Sequence, residues 1–112
     1  LATRTREIGR VGGYEAGEVE YVQVRARIDD RTTKICKKMH KKIIPVARLS
    51  AQRDQYLDAV SKREIAGAKK AWQMWQESDD VSHIKGDELP KGTALPPFHF
   101  KCRTITVAYL SN

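Results

Sequence analysis

The sequence predicts an α+β fold, in which a small, mostly antiparallel sheet of about three strands packs against two or three helices. Three segments favour this fold class. Residues 20–28 alternate between apolar and polar side chains, as a half-buried strand does. Residues 105–110 are a second strand-like segment, and residues 50–76 repeat apolar side chains at the helical period with charged ones opposite. The chain has 112 residues, which fits a single domain.

The N-terminal part of the chain is predicted to hold one short helix and one strand. Residues 5–17 carry apolar side chains at helical spacing, although each glycine among them weakens a helix by roughly 1 kcal/mol relative to alanine. The strand over residues 20–28 ends at Asp29 and Asp30. The side of this strand that faces the core is predicted to carry Val22, Val24, Ala26 and Ile28.

A second helix is predicted over residues 31–41, because the carboxylate of Asp30 can accept hydrogen bonds from the backbone of its first turn. Cys36 and His40 are one turn apart in this helix, which makes them neighbours on its surface. One face of the helix is predicted to carry Thr32, Ile35, Cys36 and Met39.

The rest of the chain is predicted to form a short strand, a long helix, a polar loop and a final strand. The short strand covers residues 42–46. The long helix covers residues 50–76, with Gly67 as the point where it would break in two. A loop follows over residues 78–93, and a proline-containing turn leads into the last strand. The apolar face of the long helix, which is predicted to face the core, carries Leu57, Val60, Ala68, Trp72 and Trp75. Trp72 and Trp75 are predicted to be core anchors, and the alternative is that they stack on nucleic-acid bases.

The chain is strongly basic, with a net charge of +7 and an isoelectric point near 9.6. Such an excess favours a polyanionic partner, which would be nucleic acid, an acidic protein or an anionic surface. A basic protein without such a partner is the plainer interpretation, but the basic residues here are clustered. The clustered residues are Lys37, Lys38, Lys41 and Lys42 around His40, and Lys101 and Arg103 around Cys102. No apolar run approaches the roughly 18 residues that a membrane span needs.

Chemically reactive side chains concentrate in two short segments. The upstream cluster, residues 29–40, begins with Asp29-Asp30-Arg31-Thr32-Thr33 and includes Cys36 and His40. The downstream cluster, residues 96–104, reads Pro96-Pro97-Phe98-His99-Phe100-Lys101-Cys102-Arg103-Thr104. Both cysteines and two of the three histidines fall in these clusters, which makes them the candidate site.

The cysteines allow two kinds of chemistry. Two thiolates and two imidazoles make a ligand set suited to tetrahedral zinc, namely Cys36, His40, His99 and Cys102. Alternatively, Cys36 is a small core residue on the apolar face of its helix. A thiol at Cys102, beside His99 and cations, could also act as a nucleophile.

Acid–base chemistry on a phosphodiester is a further use of the same clusters. A metal-independent ribonuclease needs a base, an acid, and cations that stabilise the charged intermediate. His99 is the candidate base or acid, and His40 is the candidate second proton carrier, because histidine titrates near neutral pH. The candidate phosphate contacts are Arg31, Arg103 and Thr104, and the candidate nucleic-acid-binding lysines are Lys37, Lys38, Lys41, Lys42 and Lys101. Alternatively, His99 caps a turn and Arg103 pairs with Asp29 or Asp30 to hold the fold.

Taken together, the two clusters resemble the phage Mu F-like minor head protein domain of phage head-morphogenesis proteins. The resemblance rests on an Asp-x-Arg-Thr followed by a Cys, and on a Pro-Pro-x-His-x-x-Cys-Arg near the end. In this chain these motifs are Asp29-Asp30-Arg31-Thr32 with Cys36, and residues 96–103. Two positions depart from the family pattern. A glycine commonly stands where this chain has Lys41, and many members have a further cysteine where it has Thr104.

The resemblance implies two sorts of function. In phages the domain belongs to a minor capsid component carried into the virion. The same domain type is also the C-terminal module of bacterial polymorphic toxins, which are delivered into the cytoplasm of a rival cell, are often nucleases against tRNA, and travel with an acidic immunity protein.

The leading hypothesis is therefore a secreted or delivered toxin-like nuclease that cleaves RNA without a metal cofactor. One alternative is a non-enzymatic phage head component that binds capsid, portal or packaged DNA. The other is a small binding module held together by zinc.

Overall fold

A three-stranded antiparallel sheet lies at the centre of the fold. The computed structural model describes residues 2–28, 32, 34–75, 81–98 and 104–110. Its strands are β1 (Tyr21–Arg25), β2 (Ile43–Pro45) and β3 (Ile105–Tyr109), and β1 lies in the middle, in the order β2-β1-β3. Both pairings are antiparallel, which confirms the predicted α+β fold with its small sheet.

Four helices are present in the described part of the chain. They are α1 (Ala2–Ala16), α2 (Lys34–Met39), α3 (Val46–Ser61) and α4 (Ile65–Ala71). α1 begins earlier than predicted, and α2 is shorter than the predicted helix over residues 31–41. Among the described residues, no helix combines the length and the apolar character that crossing a membrane requires.

The predicted long helix is two helices, and the break lies at residues 62–64 rather than at Gly67. Arg63 adopts the left-handed conformation with φ of 57°, and the backbone N–H of Glu64 donates to the carbonyl of Ala59 at 2.9 Å. These contacts satisfy carbonyls that the end of α3 leaves without helical partners. Gly67 has another role. A Cβ atom there would lie 3.3 Å from that of Ala59, so the missing side chain allows α4 to approach α3 closely.

α1 covers the outer edge of β3. The carboxylate of Glu7 is buried, and it accepts a hydrogen bond from the backbone N–H of Thr106 at 2.9 Å. The Tyr14 and Thr106 hydroxyl oxygens are also 2.9 Å apart. An edge strand presents unpaired backbone groups, and Glu7 gives one of them a charged acceptor.

The core lies between the helices and one face of the sheet. It includes Val22, Val24, Ile35, Met39, Ile44, Leu49, Trp72 and Phe98. Three predicted core positions are wrong, because the exposed fractions are 52% for Ile28, 43% for Leu57 and 48% for Val60. β1 ends three residues before Ile28, and α3 buries Val46, Leu49, Gln52 and Ala59 instead.

Parts of the segment over residues 81–98 pack against the body of the protein, and residues 92–96 are buried. The buried amide of Gln52 accepts hydrogen bonds from the backbone of Ala94 and Leu95 at 3.0 and 2.9 Å, and donates to the Gly92 carbonyl at 3.1 Å. Gly92 has φ of 81°, and a Cβ atom there would lie 2.5 Å from the Lys70 carbonyl oxygen. α3 and α4 therefore fix the chain directly before the downstream cluster.

Candidate functional site

The upstream and downstream clusters meet at one buried contact. The Thr104 hydroxyl donates a hydrogen bond to the Cys36 sulfur at 3.1 Å, across 68 residues of sequence. Cys36 lies on α2, and Thr104 directly precedes β3, with exposed fractions of 4% and 1%. This contact holds together the parts of the fold that carry the two motifs.

Thr104 itself lies inside the protein. Its hydroxyl is turned to Cys36 and its side chain is almost fully buried. A phosphate that approached from solvent would not reach this hydroxyl in the present arrangement. The burial argues against Thr104 as a phosphate contact and favours a role in joining the two clusters.

His40 is held by the end of β1. Its Nδ1 atom accepts a hydrogen bond from the backbone N–H of Ala26 at 2.9 Å. The backbone beside it continues the pairing of β1, because the N–H of Lys41 donates to the Val24 carbonyl at 2.7 Å. The imidazole therefore supplies an acceptor where the strand pairing ends.

The hydrogen bond from Ala26 also decides which nitrogen of His40 carries the proton. Since Nδ1 is an acceptor, the neutral ring carries its proton on Nε2 and presents a donor on that side. Burial lowers the pKa of His40, and the nearby charges of Lys41 and Arg25 lower it further. This arrangement suits a hydrogen-bond donor better than a proton carrier, because protonation would break the bond with Ala26.

The same hydrogen bond competes with metal binding at His40. A zinc ion on Nε2 would require the proton to move to Nδ1, which would leave the Ala26 N–H facing another donor. Among the residues that the structure describes, no group of three or more His, Cys, Asp or Glu side chains is arranged to hold a metal ion. Two members of the predicted zinc set, His99 and Cys102, lie outside the described residues, so the full set stays a prediction.

Several other predicted site residues also lie outside the described part of the chain. They are Asp29, Asp30, Arg31, Lys101 and Arg103. Their roles stay predictions.

The four lysines around His40 lie in different surroundings. Lys37 and Lys38 lie in the last turn of α2, where positive charge interacts favourably with the helix end. Lys37 and Lys41 are exposed. The ammonium group of Lys42 donates to the Ile84 carbonyl, so it is anchored to the packed segment rather than held beside Lys37.

A cavity of about 480 Å³ beside β2 was not predicted. It is lined by Tyr21, Lys42, Ile43, Pro45 and residues 82–87, which include His83, Lys85 and Asp87. His83 is exposed, and it lies at this cavity. No local pattern in the sequence marks this cavity, because the fold alone brings residues 82–87 to β2.

No protein-family model matches this chain, and no curated protein or solved structure matches it either. The resemblance to the phage Mu F-like domain therefore rests on the sequence motifs alone, which include residues 4–8 and 14–17 beside the two clusters.

Proposed function

We propose that this domain is a toxin-like ribonuclease that cleaves RNA by acid–base chemistry without a metal cofactor. The observation that supports it best is the hydrogen bond between Cys36 and Thr104, because it joins the two segments that carry the candidate catalytic residues. After delivery into a target cell the domain would act on cytoplasmic RNA, with tRNA as the substrate class that the family resemblance suggests.

The proposal gives each residue of the site a distinct task. His99 transfers one of the two protons of the reaction, at the attacking 2′-hydroxyl or at the leaving 5′-oxygen, and water takes up or supplies the other. Arg31 and Arg103 bind the phosphate and stabilise the charge that develops on it. His40 offers its Nε2–H as a hydrogen-bond donor, and Thr104 holds the start of β3 against Cys36.

The charge of the molecule suits the partners that this function requires. The net charge of +7 favours RNA, and the exposed Lys37 and Lys41 extend the positive surface beside the clusters. The same charge favours an acidic immunity protein, which would protect the producing cell by covering the positive surface.

The test is cleavage of total RNA and purified tRNA by the purified domain, with and without EDTA. We expect cleavage to survive EDTA and to fall by about 100-fold or more in His99→Ala, the usual effect of losing a general acid or base. Gln55→Ala is the control, because it truncates an exposed side chain on α3, outside both clusters. Circular dichroism of each variant separates loss of catalysis from loss of folding.

Absence of cleavage by micromolar protein on RNA and on DNA would overturn this proposal. It would favour the non-enzymatic alternative, a phage head component that binds capsid, portal or DNA. Stoichiometric zinc in the purified protein, with cleavage that EDTA abolishes, would also contradict the metal-free mechanism and would favour the zinc-held module.

A further inference from the structure

One face of the sheet is open to solvent. The side chains of β1 and β3 alternate between the two faces of the sheet. Val22, Val24 and Thr106 point into the core, and the residues between them point outward. In the described part of the chain, every side chain on the outward face is exposed or half-buried. These side chains are Tyr21, Gln23, Arg25, Ile43, Pro45, Ile105, Val107 and Tyr109.

Two tyrosines lie side by side at one end of this open face. Tyr21 and Tyr109 are direct partners in the antiparallel register, which brings their Cβ atoms to roughly 5 Å of each other. Their exposed fractions are 41% and 38%. An exposed aromatic pair on a sheet is a surface on which unpaired bases can stack, because every base offers an apolar ring face.

The other end of the open face is positively charged and adjoins both clusters. Arg25 pairs there with Ile105, and Ile105 follows the buried Thr104 of the downstream cluster. Lys41 is bonded to β1 at the same end and is exposed. Four residues of strand, about 13 Å, separate this end from the two tyrosines. An extended strand of a few nucleotides would reach from the tyrosines to the clusters.

The cavity beside β2 continues the open face past Tyr21. Tyr21 lines it together with the cationic side chains Lys42 and Lys85. Its volume of about 480 Å³ is enough for a nucleotide base to enter. Polar groups at its wall, among them His83 and Asp87, could bond the edge of such a base.

We propose that the open face binds single-stranded RNA, with bases stacked on Tyr21 and Tyr109 and the backbone running along the strands to Arg25. This inference rests on the proposed function and specifies how its substrate is bound. A base-paired duplex would not offer its ring faces to the tyrosines. A second copy of the chain would bring two charges of +7 together, so charge complementarity favours the polyanion.

The test measures binding of a short fluorescein-labelled single-stranded oligoribonucleotide by anisotropy, in a His99→Ala background so that the RNA stays intact. We expect Tyr21→Ala and Tyr109→Ala each to weaken binding by about tenfold, as loss of one stacking partner does. Tyr21→Phe and Tyr109→Phe keep the ring and should retain affinity. Leu57→Ala is the matched control, because Leu57 is a similarly exposed apolar residue on α3.

The outcomes distinguish this inference from the proposed ribonuclease. Unchanged affinity in both alanine variants, or equal affinity for a blunt duplex, would overturn the stacking surface even if RNA is cleaved. Loss of affinity in both variants would support it even if the parent chain cleaves no RNA. A protein that binds the open face and is not displaced by single-stranded RNA would also count against the proposed RNA surface.

Discussion

His40 links the chemistry of the site to the stability of the fold. Its pKa is lowered by burial and by Lys41 and Arg25, so the folded protein favours the neutral ring more than the unfolded chain does. The unfolded state then binds more protons than the folded state does. The contribution of His40 to the free energy of unfolding is therefore lost as pH falls through the ordinary histidine pKa of about 6.5 towards the lower folded value. Acidification should therefore weaken the fold through this residue.

The variant His40→Asn separates this titration from the hydrogen bond. The asparagine side-chain oxygen can replace Nδ1 as the acceptor for Ala26, but it does not titrate. We expect its free energy of unfolding to match the parent at neutral pH and to fall less on acidification, measured by urea unfolding. His40→Ala should cost about 1 kcal/mol at neutral pH. A parent-like pH profile in His40→Asn, with a changed profile in His83→Asn, would contradict the assignment.

Lys41 has a backbone conformation that the sequence motif does not predict. The family pattern commonly has glycine at this position, and the chain has lysine. The structure gives Lys41 a φ of 72°, which lies in the left-handed region that glycine adopts without strain. Glycine would adopt this backbone conformation without strain, whereas lysine adopts it at a cost. Periodicity of apolar residues carries no information about such a position.

The segment over residues 90–98 lies deeper in the protein than its composition indicates. Its one glycine and three prolines are typical of a loop, and it is one, but Gly92 to Pro96 are buried. The burial depends on Gln52, a polar residue that helical periodicity does not mark as a core position. Long-range hydrogen bonds between a side chain and a backbone lie outside what local patterns can predict.

Gln52 gives a test of how firmly this segment is held. Gln52→Leu keeps the size of the side chain but leaves the N–H groups of Ala94 and Leu95 without their acceptor. The Gly92 carbonyl loses this donor but still accepts from the backbone N–H of Gln73 at 2.8 Å. We expect a loss of about 3 kcal/mol in the free energy of unfolding, since each buried group left unsatisfied costs about 1–3 kcal/mol. Urea unfolding monitored by tryptophan fluorescence measures it.

Gln55→Leu is the matched control for that experiment. Gln55 is exposed on the same helix, so its replacement should change the free energy of unfolding by no more than about 0.5 kcal/mol. Similar losses in the two variants would show that the amide of Gln52 does not hold the segment.

The strands of the sheet were predictable, whereas the surface they create was not. Local sequence patterns identified β1 and the final strand, and the order of the predicted elements indicated a small antiparallel sheet with helices packed against it. The pairing of Tyr21 with Tyr109 depends on a register between residues 88 positions apart, which no local pattern specifies. The contact between Cys36 and Thr104 also joins residues far apart in the sequence. The two clusters could therefore be recognised from the sequence, but their contact could not be predicted.

The distribution of charge over the whole molecule yields a last prediction. If RNA follows the open face, only cations near that path should contribute to the salt dependence of binding. Arg25→Gln and Lys69→Gln both lower the net charge from +7 to +6, but Lys69 lies exposed on α4, away from the sheet. For a single strand, each phosphate contact adds about 0.7 to the slope of log affinity against log salt concentration.

We therefore expect Arg25→Gln to reduce this slope by about 0.7 and Lys69→Gln to leave it unchanged, in anisotropy titrations over a series of salt concentrations. Tyr21→Ala should weaken binding at every salt concentration without changing the slope, because stacking releases no counterions. Equal slopes for Arg25→Gln and Lys69→Gln would mean that RNA responds to the total charge and not to a path across the sheet. A difference between them would locate the backbone of the RNA at the end of the sheet where the two clusters meet.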